Sequence, residues 1–185
     1  MMTYISHHGI EGQQWGVRNG PPYPLDKANK IFISGSSKTQ THGSEYRRKS
    51  LPQEIKSEID SYISNNKTII VGDAPGIDSQ VQNYLKAKKY KNVMVFGPST
   101  GPRYVANKAW QKSSVSLGSS EIGSKEWLAE KDIMMCKIAD GGLAVILDEG
   151  SRATRKNIDR LIEMSKPVKV YELSKMGKKF DRFIN

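Results

Sequence analysis

The sequence lacks the features that define several classes of protein. It has one cysteine, Cys136, so no disulfide can form within the chain, and a reducing cytoplasm is expected. No stretch approaches the roughly 20 apolar residues that span a membrane, and residues 1–29 lack the basic and apolar regions of a secretory signal. We therefore predict a cytoplasmic protein without a membrane partner, in which Cys136 is a small core residue rather than a nucleophile.

Metal ligands and stacking surfaces are also scarce. His7 and His8 form a pair in the N-terminal segment without further ligands, and His42 lies in a polar loop, so no metal site is expected. The net charge is +10, but no stripe of aromatic and basic residues of the kind that stacks single strands occurs. We interpret the charge as a solvated surface that favours anions, and we do not expect a nucleic-acid partner.

The chain is expected to form one domain with two short extensions. Residues 1–29 are rich in Gly, Pro, His and Gln and lack hydrophobic periodicity, so they are predicted to be an N-terminal arm. Residues 30–173 are predicted to be the folded domain, within which residues 98–124 form a long loop. Residues 174–185 form a basic C-terminal tail whose pattern favours a short helix.

Short apolar runs alternate with helical patterns through this domain. The predicted strands are residues 31–34, 68–71, 92–96, 143–147 and 167–171. Strands that are apolar throughout are typical of parallel sheets covered on both faces. The alternation predicts an α/β fold, a doubly wound Rossmann-like parallel sheet of about five strands in the order 3-2-1-4-5.

Three segments at predicted strand ends contain residues suited to a phosphorylated ligand. The first contains Gly35, Ser36, Ser37 and Lys38, the second Gly72, Asp73, Ala74, Gly76 and Asp78, and the third Asp148, Gly150, Ser151, Arg152 and Thr154. Free amides, hydroxyls and a guanidinium at a helix start can hold a phosphate, and a carboxylate such as Asp73 suits ribose hydroxyls. A bare turn at Gly35, an N-cap at Ser151 and a first-turn charge at Asp78 remain open alternatives.

Two other segments supply candidates for the same site. The charged turn of Glu130, Lys131 and Asp132 precedes a buried run, so one of these side chains is expected to face the cleft. Arg103 and Lys108 lie in the long loop and are expected to close over the ligand.

Taken in order, these motifs resemble the SLOG superfamily of Rossmann-like proteins over about residues 30–172. That superfamily includes cytokinin-activating phosphoribohydrolases, DNA-processing proteins and sensor domains for nucleotide signals. The resemblance implies a nucleotide site. When the hydrolase motif is aligned through Thr154, Asn157 stands at the position of its catalytic Glu. An amide cannot act as a general base, so the resemblance implies nucleotide binding, with Asn157 in the site, more than cleavage.

The N-terminal arm has a separate resemblance. Residues 6–18, from Ser6 to Arg18, are similar to a segment of phage and prophage proteins that is often found near head-morphogenesis genes. This implies a phage-encoded protein in a bacterial host, with residues 4–18 as a peptide that docks on a virion protein.

Three functional hypotheses follow. The first is a protein that binds an ADP-ribose-like or cyclic nucleotide, needs no cofactor, and sequesters a host defence signal. The second is an N-glycosidase acting on nucleosides or NAD, or a deoxyribosyltransferase-like enzyme, with Asp73, Glu130 and Asp132 as candidate catalytic carboxylates. The third is an accessory virion protein, and the sequence leaves homo-oligomer formation open.

Overall fold

A computed structural model describes residues 24–37, 51–118, 120–147, 151–173 and 179–184. Most of the predicted arm, including the docking peptide of residues 4–18, lies outside the described residues. The same is true of three predicted site residues, Lys38, Asp148 and Gly150.

The described part of the chain forms one α/β sheet flanked by helices. The sheet has seven strands in the order β4-β3-β2-β1-β5-β6-β7. The strands are β1 (Lys30–Gly35), β2 (Thr68–Val71), β3 (Val93–Pro98), β4 (Gln111–Val115), β5 (Gly141–Ile146), β6 (Val168–Leu173) and β7 (Lys179–Ile184). Strands β1 to β6 pair in parallel, and β7 pairs antiparallel with β6.

The predicted Rossmann-like fold is confirmed. The five predicted strands are β1, β2, β3, β5 and β6, and they lie in the predicted order. The sheet has two more strands than predicted, one at each edge. Strand β4 lies within the segment predicted to be a long loop. The sequence did not indicate this strand because its residues are polar and mostly exposed, as an edge strand allows. Strand β7 replaces the helix predicted for the basic tail. Both corrections concern edge strands, which need no continuous apolar run.

Four α-helices cover the two faces of the sheet. They are α1 (Gln53–Ser64), α2 (Ile77–Ala87), α3 (Lys125–Ile138) and α4 (Arg152–Glu163). Ile31 and Ile33 of β1 join the core cluster beneath α1 and α2, whereas Phe32 joins the cluster beneath α3 and α4. This alternation is the two-residue period of a strand that is buried on both faces.

Two sequence predictions concern the burial of Cys136 and the lack of a membrane-spanning segment. Cys136 is fully buried in the cluster beneath α3 and α4, where burial raises the pKa of its thiol to about 12, as a core residue requires. No helix in the described ranges is both long enough and apolar enough to cross a membrane.

The folded unit begins before the predicted boundary at residue 30. A 3-10 helix (Pro24–Lys27) precedes β1, and Leu25 and Ala28 are buried in the core. The ammonium of Lys67 is buried at the start of β2 and donates to the carbonyl oxygens of Leu25, Asp26 and Ala28 at 3.0, 2.8 and 2.7 Å. One side chain therefore satisfies three backbone acceptors and ties this helix to the sheet.

Replacing Lys67 with Met keeps the aliphatic stem but removes the donor. We expect Lys67→Met to lower the free energy of unfolding by about 2–4 kcal/mol, because buried carbonyl groups lose a charged partner. Urea unfolding measures the change. The exposed Lys27 in the same segment provides the control, since Lys27→Met should alter stability by less than about 0.5 kcal/mol. Equal effects of the two substitutions would contradict the proposed role of Lys67.

Candidate functional site

A cleft of about 200 Å³ opens at the carboxyl ends of β1 and β5, where the strand order reverses. Open parallel sheets bind their ligands at this position. The lining residues are Phe32, Ser34, Gly35, Ser36, Ser37, Ala74, Asp78, Lys131, Asp132, Met135, Ser151, Arg152, Ala153, Thr154 and Asn157. Ten of the residues predicted from sequence are therefore brought together here: Gly35, Ser36, Ser37, Ala74, Asp78, Asp132, Ser151, Arg152, Thr154 and Asn157.

Hydroxyl groups form one side of the cleft. The Oγ atoms of Ser36 and Ser151 are in hydrogen-bond contact across the ends of the two segments. Ser36 Oγ also accepts a hydrogen bond from the Leu147 amide at 3.1 Å, and the Ser36 amide donates to the Val145 carbonyl at 3.1 Å. These bonds fix the loop after β1 against the end of β5 and hold the two hydroxyls in place.

The start of α4 lies beside these hydroxyls. Ser151 is the N-cap residue, but its side chain makes no capping hydrogen bond in the described part of the chain. The alternative of a simple N-cap therefore does not describe Ser151, whose hydroxyl turns towards Ser36. Thr154 is buried in the first turn and Arg152 is exposed at the rim, so this helix start offers a hydroxyl and a guanidinium to the cleft.

Asn157 occupies the inner wall of the cleft. Its Nδ2 donates to Ser34 Oγ at 3.0 Å, and its Oδ1 accepts from Arg160 Nη1 at 2.7 Å. Both ends of the amide are thus engaged within the protein. The residue aligned with the glutamate of the phosphoribohydrolase motif orients Ser34 here.

Charged groups form the opposite side of the cleft. Lys131 is buried, and its ammonium lies 2.8 Å from Asp132 and 3.8 Å from Asp73. Burial would lower the pKa of Lys131, but Asp132 and Asp78 outweigh burial and raise it. Asp132 Oδ2 also lies 3.5 Å from the Asn157 amide nitrogen, so Asp132 joins the charged side to the inner wall.

Asp78 is the second carboxyl group on this side. Its Oδ2 accepts from the Ala74 amide at 3.3 Å. Burial raises its pKa to about 7, with Lys131 opposing and Asp132 adding to the shift. The cleft therefore contains one carboxyl group held by a lysine and one whose pKa is raised by burial to about 7.

Asp73 lies beside the cleft and is engaged by another part of the chain. It accepts from the Arg103 amide at 2.8 Å, from Nε at 2.9 Å and from Nη2 at 2.8 Å. Burial would raise the pKa of Asp73, but the hydrogen bonds from Arg103 outweigh it and lower the pKa. The carboxylate expected to meet a ribose therefore positions Arg103, whose side chain is 44% exposed at the same edge.

The glycines of the motifs serve packing between protein groups. A Cβ at Gly35 would overlap the Ile77 side chain, and one at Gly72 would overlap the Asp78 carboxyl group. Gly76 has φ +89°, and a Cβ there would overlap the carbonyl oxygens of Ser36 and Ser37. The absence of side chains lets the loop after β1 lie directly on the start of α2.

Two predicted residues lie away from the cleft. Lys108 is exposed just before β4, whose first residue, Gln111, pairs with Met94 near the start of β3. It is therefore close to the amino ends of the strands, and the expectation that it closes over the ligand is corrected. Glu130 is buried beside β4, where its Oε2 accepts from the Leu117 amide at 2.7 Å.

Sequence reasoning missed several lining residues and left others undecided. In the charged turn of α3, Lys131 and Asp132 line the cleft, whereas Glu130 faces the other way. Phe32, Ser34 and Met135 were not predicted. Ser34 is the last polar residue within an apolar strand, a signal that marks where β1 reaches the cleft.

Comparison with protein-family models, with curated proteins and with solved structures gives no match to this chain. The interpretation of the cleft therefore rests on its geometry and chemistry.

The raised pKa of Asp78 predicts a pH dependence of stability. Between about pH 4 and pH 7 the folded protein keeps a proton on Asp78 that the unfolded chain has released. The free energy of unfolding therefore falls as the pH rises through this window. We expect Asp78→Asn to be more stable than the wild type at pH 8, by up to about 4 kcal/mol, and the difference to shrink towards pH 4. Urea unfolding across this range tests it, and parallel stability curves would contradict it.

Gly76 and Gly118 form a matched pair for testing the contact between the β1 loop and α2. Both have positive φ, but a Cβ at Gly118 would meet nothing within 4 Å. Gly118→Ala should cost about 1–2 kcal/mol, the price of the left-handed backbone alone. Gly76→Ala should cost at least about 2 kcal/mol more because it also displaces backbone. Thermal unfolding of both variants measures the difference, and similar losses would argue against the close contact.

Proposed function

We propose that the protein binds a nucleotide in this cleft. The supporting observation is that one cleft at the reversal of strand order has hydroxyls and a guanidinium on one side and carboxyl groups on the other. A nucleotide has the matching pair of features, an anionic phosphate and a sugar whose hydroxyls donate hydrogen bonds.

The phosphate is placed at the start of α4. Thr154 and one member of the hydrogen-bonded pair of Ser36 and Ser151 offer hydroxyl donors, and Arg152 supplies a cation at the rim. The helix of 12 residues adds the positive end of its dipole and the amides of its first turn. These donors suit an anion in this part of the cleft.

The ribose is placed at the charged side, with Asp132 as its principal acceptor. Asp132 is anchored by Lys131 but keeps an oxygen towards the cleft, near Asn157. Asp78 adds a group that both donates and accepts while it is half protonated. This assigns the ribose to Asp132 in place of Asp73, whose oxygens are held by Arg103.

The size of the cleft limits how much of the ligand is enclosed. Its volume of about 200 Å³ is below the roughly 300–1,000 Å³ of sites that enclose drug-sized ligands. The sugar and one phosphate therefore occupy the cleft, and the base or a second nucleoside lies outside it. ADP-ribose-like and cyclic nucleotides share this sugar-phosphate unit, and the exposed guanidinium of Arg103 is suited to a second phosphate.

Binding without turnover matches the sensor branch of the SLOG superfamily. Asn157 offers no carboxylate at the position of the hydrolase glutamate, and its amide is engaged by Ser34 and Arg160. A phage-encoded protein with such a cleft would sequester a host nucleotide signal by holding it intact.

Cleavage of the N-glycosidic bond is a second candidate because two carboxyl groups, Asp78 and Asp132, line the cleft, and burial raises the pKa of Asp78. Asp132 would take a proton from water as the water attacks C1′, the bond from C1′ to the base nitrogen would break, and Asp78 would protonate the departing base. Asp73 and Glu130 are not placed for this reaction, since neither lines the cleft.

Calorimetry with AMP, ADP-ribose, NAD and cyclic mononucleotides tests the proposal. We expect at least one of these ligands to bind, and Arg152→Gln to weaken its affinity by about tenfold or more, the loss of one charged hydrogen bond. Lys156→Gln is the control, because it removes an equal charge from the exposed side of α4 outside the cleft lining. Its affinity should stay within about twofold of the wild type.

Two results would count against nucleotide binding: no heat with any ligand in the panel, or equal losses in the two variants. Mass spectrometry of the recovered ligand separates binding from cleavage. An intact ligand supports sequestration, whereas release of the free base that Asp132→Asn abolishes supports hydrolysis.

A further inference from the structure

A second charged surface lies near the amino ends of β3 and β4, away from the cleft at the carboxyl ends of β1 and β5. The sequence has no Asp or Glu between Asp78 and Glu121, although this stretch contains several lysines and an arginine. All six of these lysines are exposed. Five of them carry no ion pair within the described residues: Lys86, Lys89, Lys91, Lys108 and Lys112. The sequence predicts a dispersed positive surface, and the fold concentrates this part of it.

The segment between β3 and β4 brings these lysines together. It runs back along α2, where Gln82 Oε1 accepts from the Ala106 amide at 2.9 Å and Gln82 Nε2 donates to the Tyr104 carbonyl at 3.2 Å. It ends at Trp110, whose Nε1 donates to the Tyr90 carbonyl at 2.8 Å. This bond joins the turn after α2 to the start of β4.

A groove of about 330 Å³ lies between these two segments. It is lined by Lys86, Lys89, Lys91, Asn107, Ala109 and Trp110. Lys108 lies between two lining residues, and Lys112 is on the same face of β4 as Trp110, two residues away. We call this surface the lysine groove.

The positive charge of the lysine groove is not neutralised within the described residues. None of its five lysines takes part in an ion pair there. The neighbouring Lys88 differs, since its ammonium lies 3.0 Å from Asp60 of α1. The cations around the groove are therefore available to an external anion.

We propose that the lysine groove binds the phosphodiester backbone of double-stranded nucleic acid without sequence preference. A row of unpaired lysines gains affinity by releasing counterions from a polyanion, and this requires no base contact. Asn107 and the polar residues of β4 add hydrogen-bond donors of the kind that contact phosphates.

The composition of the groove favours nucleic acid over an acidic protein. Protein interfaces depend on apolar or aromatic anchors at their centre, but the aromatic residue here, Trp110, is only 3% exposed. The same burial disfavours single strands, because Trp110 cannot offer its ring to a base for stacking. A duplex backbone needs only the cations and donors that the groove presents.

Fluorescence anisotropy with a short labelled DNA duplex of arbitrary sequence tests the proposal. We expect a dissociation constant of about 1–100 µM at physiological salt, typical of non-specific binding. The plot of log affinity against log salt should have a slope of about −3 to −4.5, corresponding to three to five phosphate contacts. The triple variant Lys86→Gln, Lys89→Gln, Lys91→Gln should lose at least about tenfold in affinity and flatten this slope.

Two matched variants isolate the groove from net charge. The triple variant Lys125→Gln, Lys137→Gln, Lys156→Gln removes the same charge from exposed positions on α3 and α4 and should bind within about twofold of the wild type. Arginine at positions 86, 89 and 91 should retain binding. Saturating nucleotide should not displace the duplex, because the cleft lies at the carboxyl ends of β1 and β5 whereas the groove lies near the amino ends of β3 and β4.

Several outcomes would overturn the proposal. These are no duplex binding by the wild-type protein, equal losses in the two glutamine variants, or a labelled polyglutamate that binds as tightly as the duplex. The last result would assign the groove to an acidic protein. Failure of nucleotide binding in calorimetry leaves each of these outcomes unaffected, so the two proposals are tested separately.

Discussion

The burial of the Lys131 ammonium among three carboxyl groups is the constraint on which the cleft of this protein depends. A buried cation is costly unless it is paired, and Asp73, Asp78 and Asp132 converge on Lys131 from two elements that are distant in sequence. Gly72 is part of the same arrangement, because a side chain there would displace the Asp78 carboxyl group. Charge therefore links the segment after β2 to the first half of α3.

This pairing determines what each carboxyl group is able to do. The Asp73 carboxylate accepts hydrogen bonds from Arg103 that lower its pKa, so it stays ionised. At Asp78 burial is the dominant effect and raises the pKa to about 7. Asp132 is in contact with the Lys131 ammonium yet still lines the cleft. Three chemically identical side chains thus have three different roles, which are set by the donors around each one.

The fold was predictable from sequence wherever burial leaves a pattern. Apolar strands alternating with helices predicted the parallel order, and the glycine and serine residues after β1 and before α4 were predicted to meet because parallel strands end at one edge. Edge strands β4 and β7 were not predicted because neither has the continuous apolar run of a strand that is buried on both faces: β4 is mostly polar, and three of the six residues of β7 are charged. The ion pair between Asp73 and Arg103 was not predicted for another reason. Arg103 lies 30 residues further along the chain, and local sequence gives no sign of the pair.

Helix α2 runs from the cleft to the lysine groove and has a charged residue near each end. Asp78 is in its first turn and Lys86 in its last, so each charge lies at the end of the helix dipole that favours it. The two residues are about 12 Å apart along the axis at 1.5 Å per residue, which exceeds the screening length of roughly 8 Å at physiological salt. An anion bound at the lysine groove therefore has little electrostatic effect on the cleft. The polarity of this one helix therefore matches both proposals, with a carboxyl group at the cleft and a lysine at the groove, and leaves the two sites electrostatically separate.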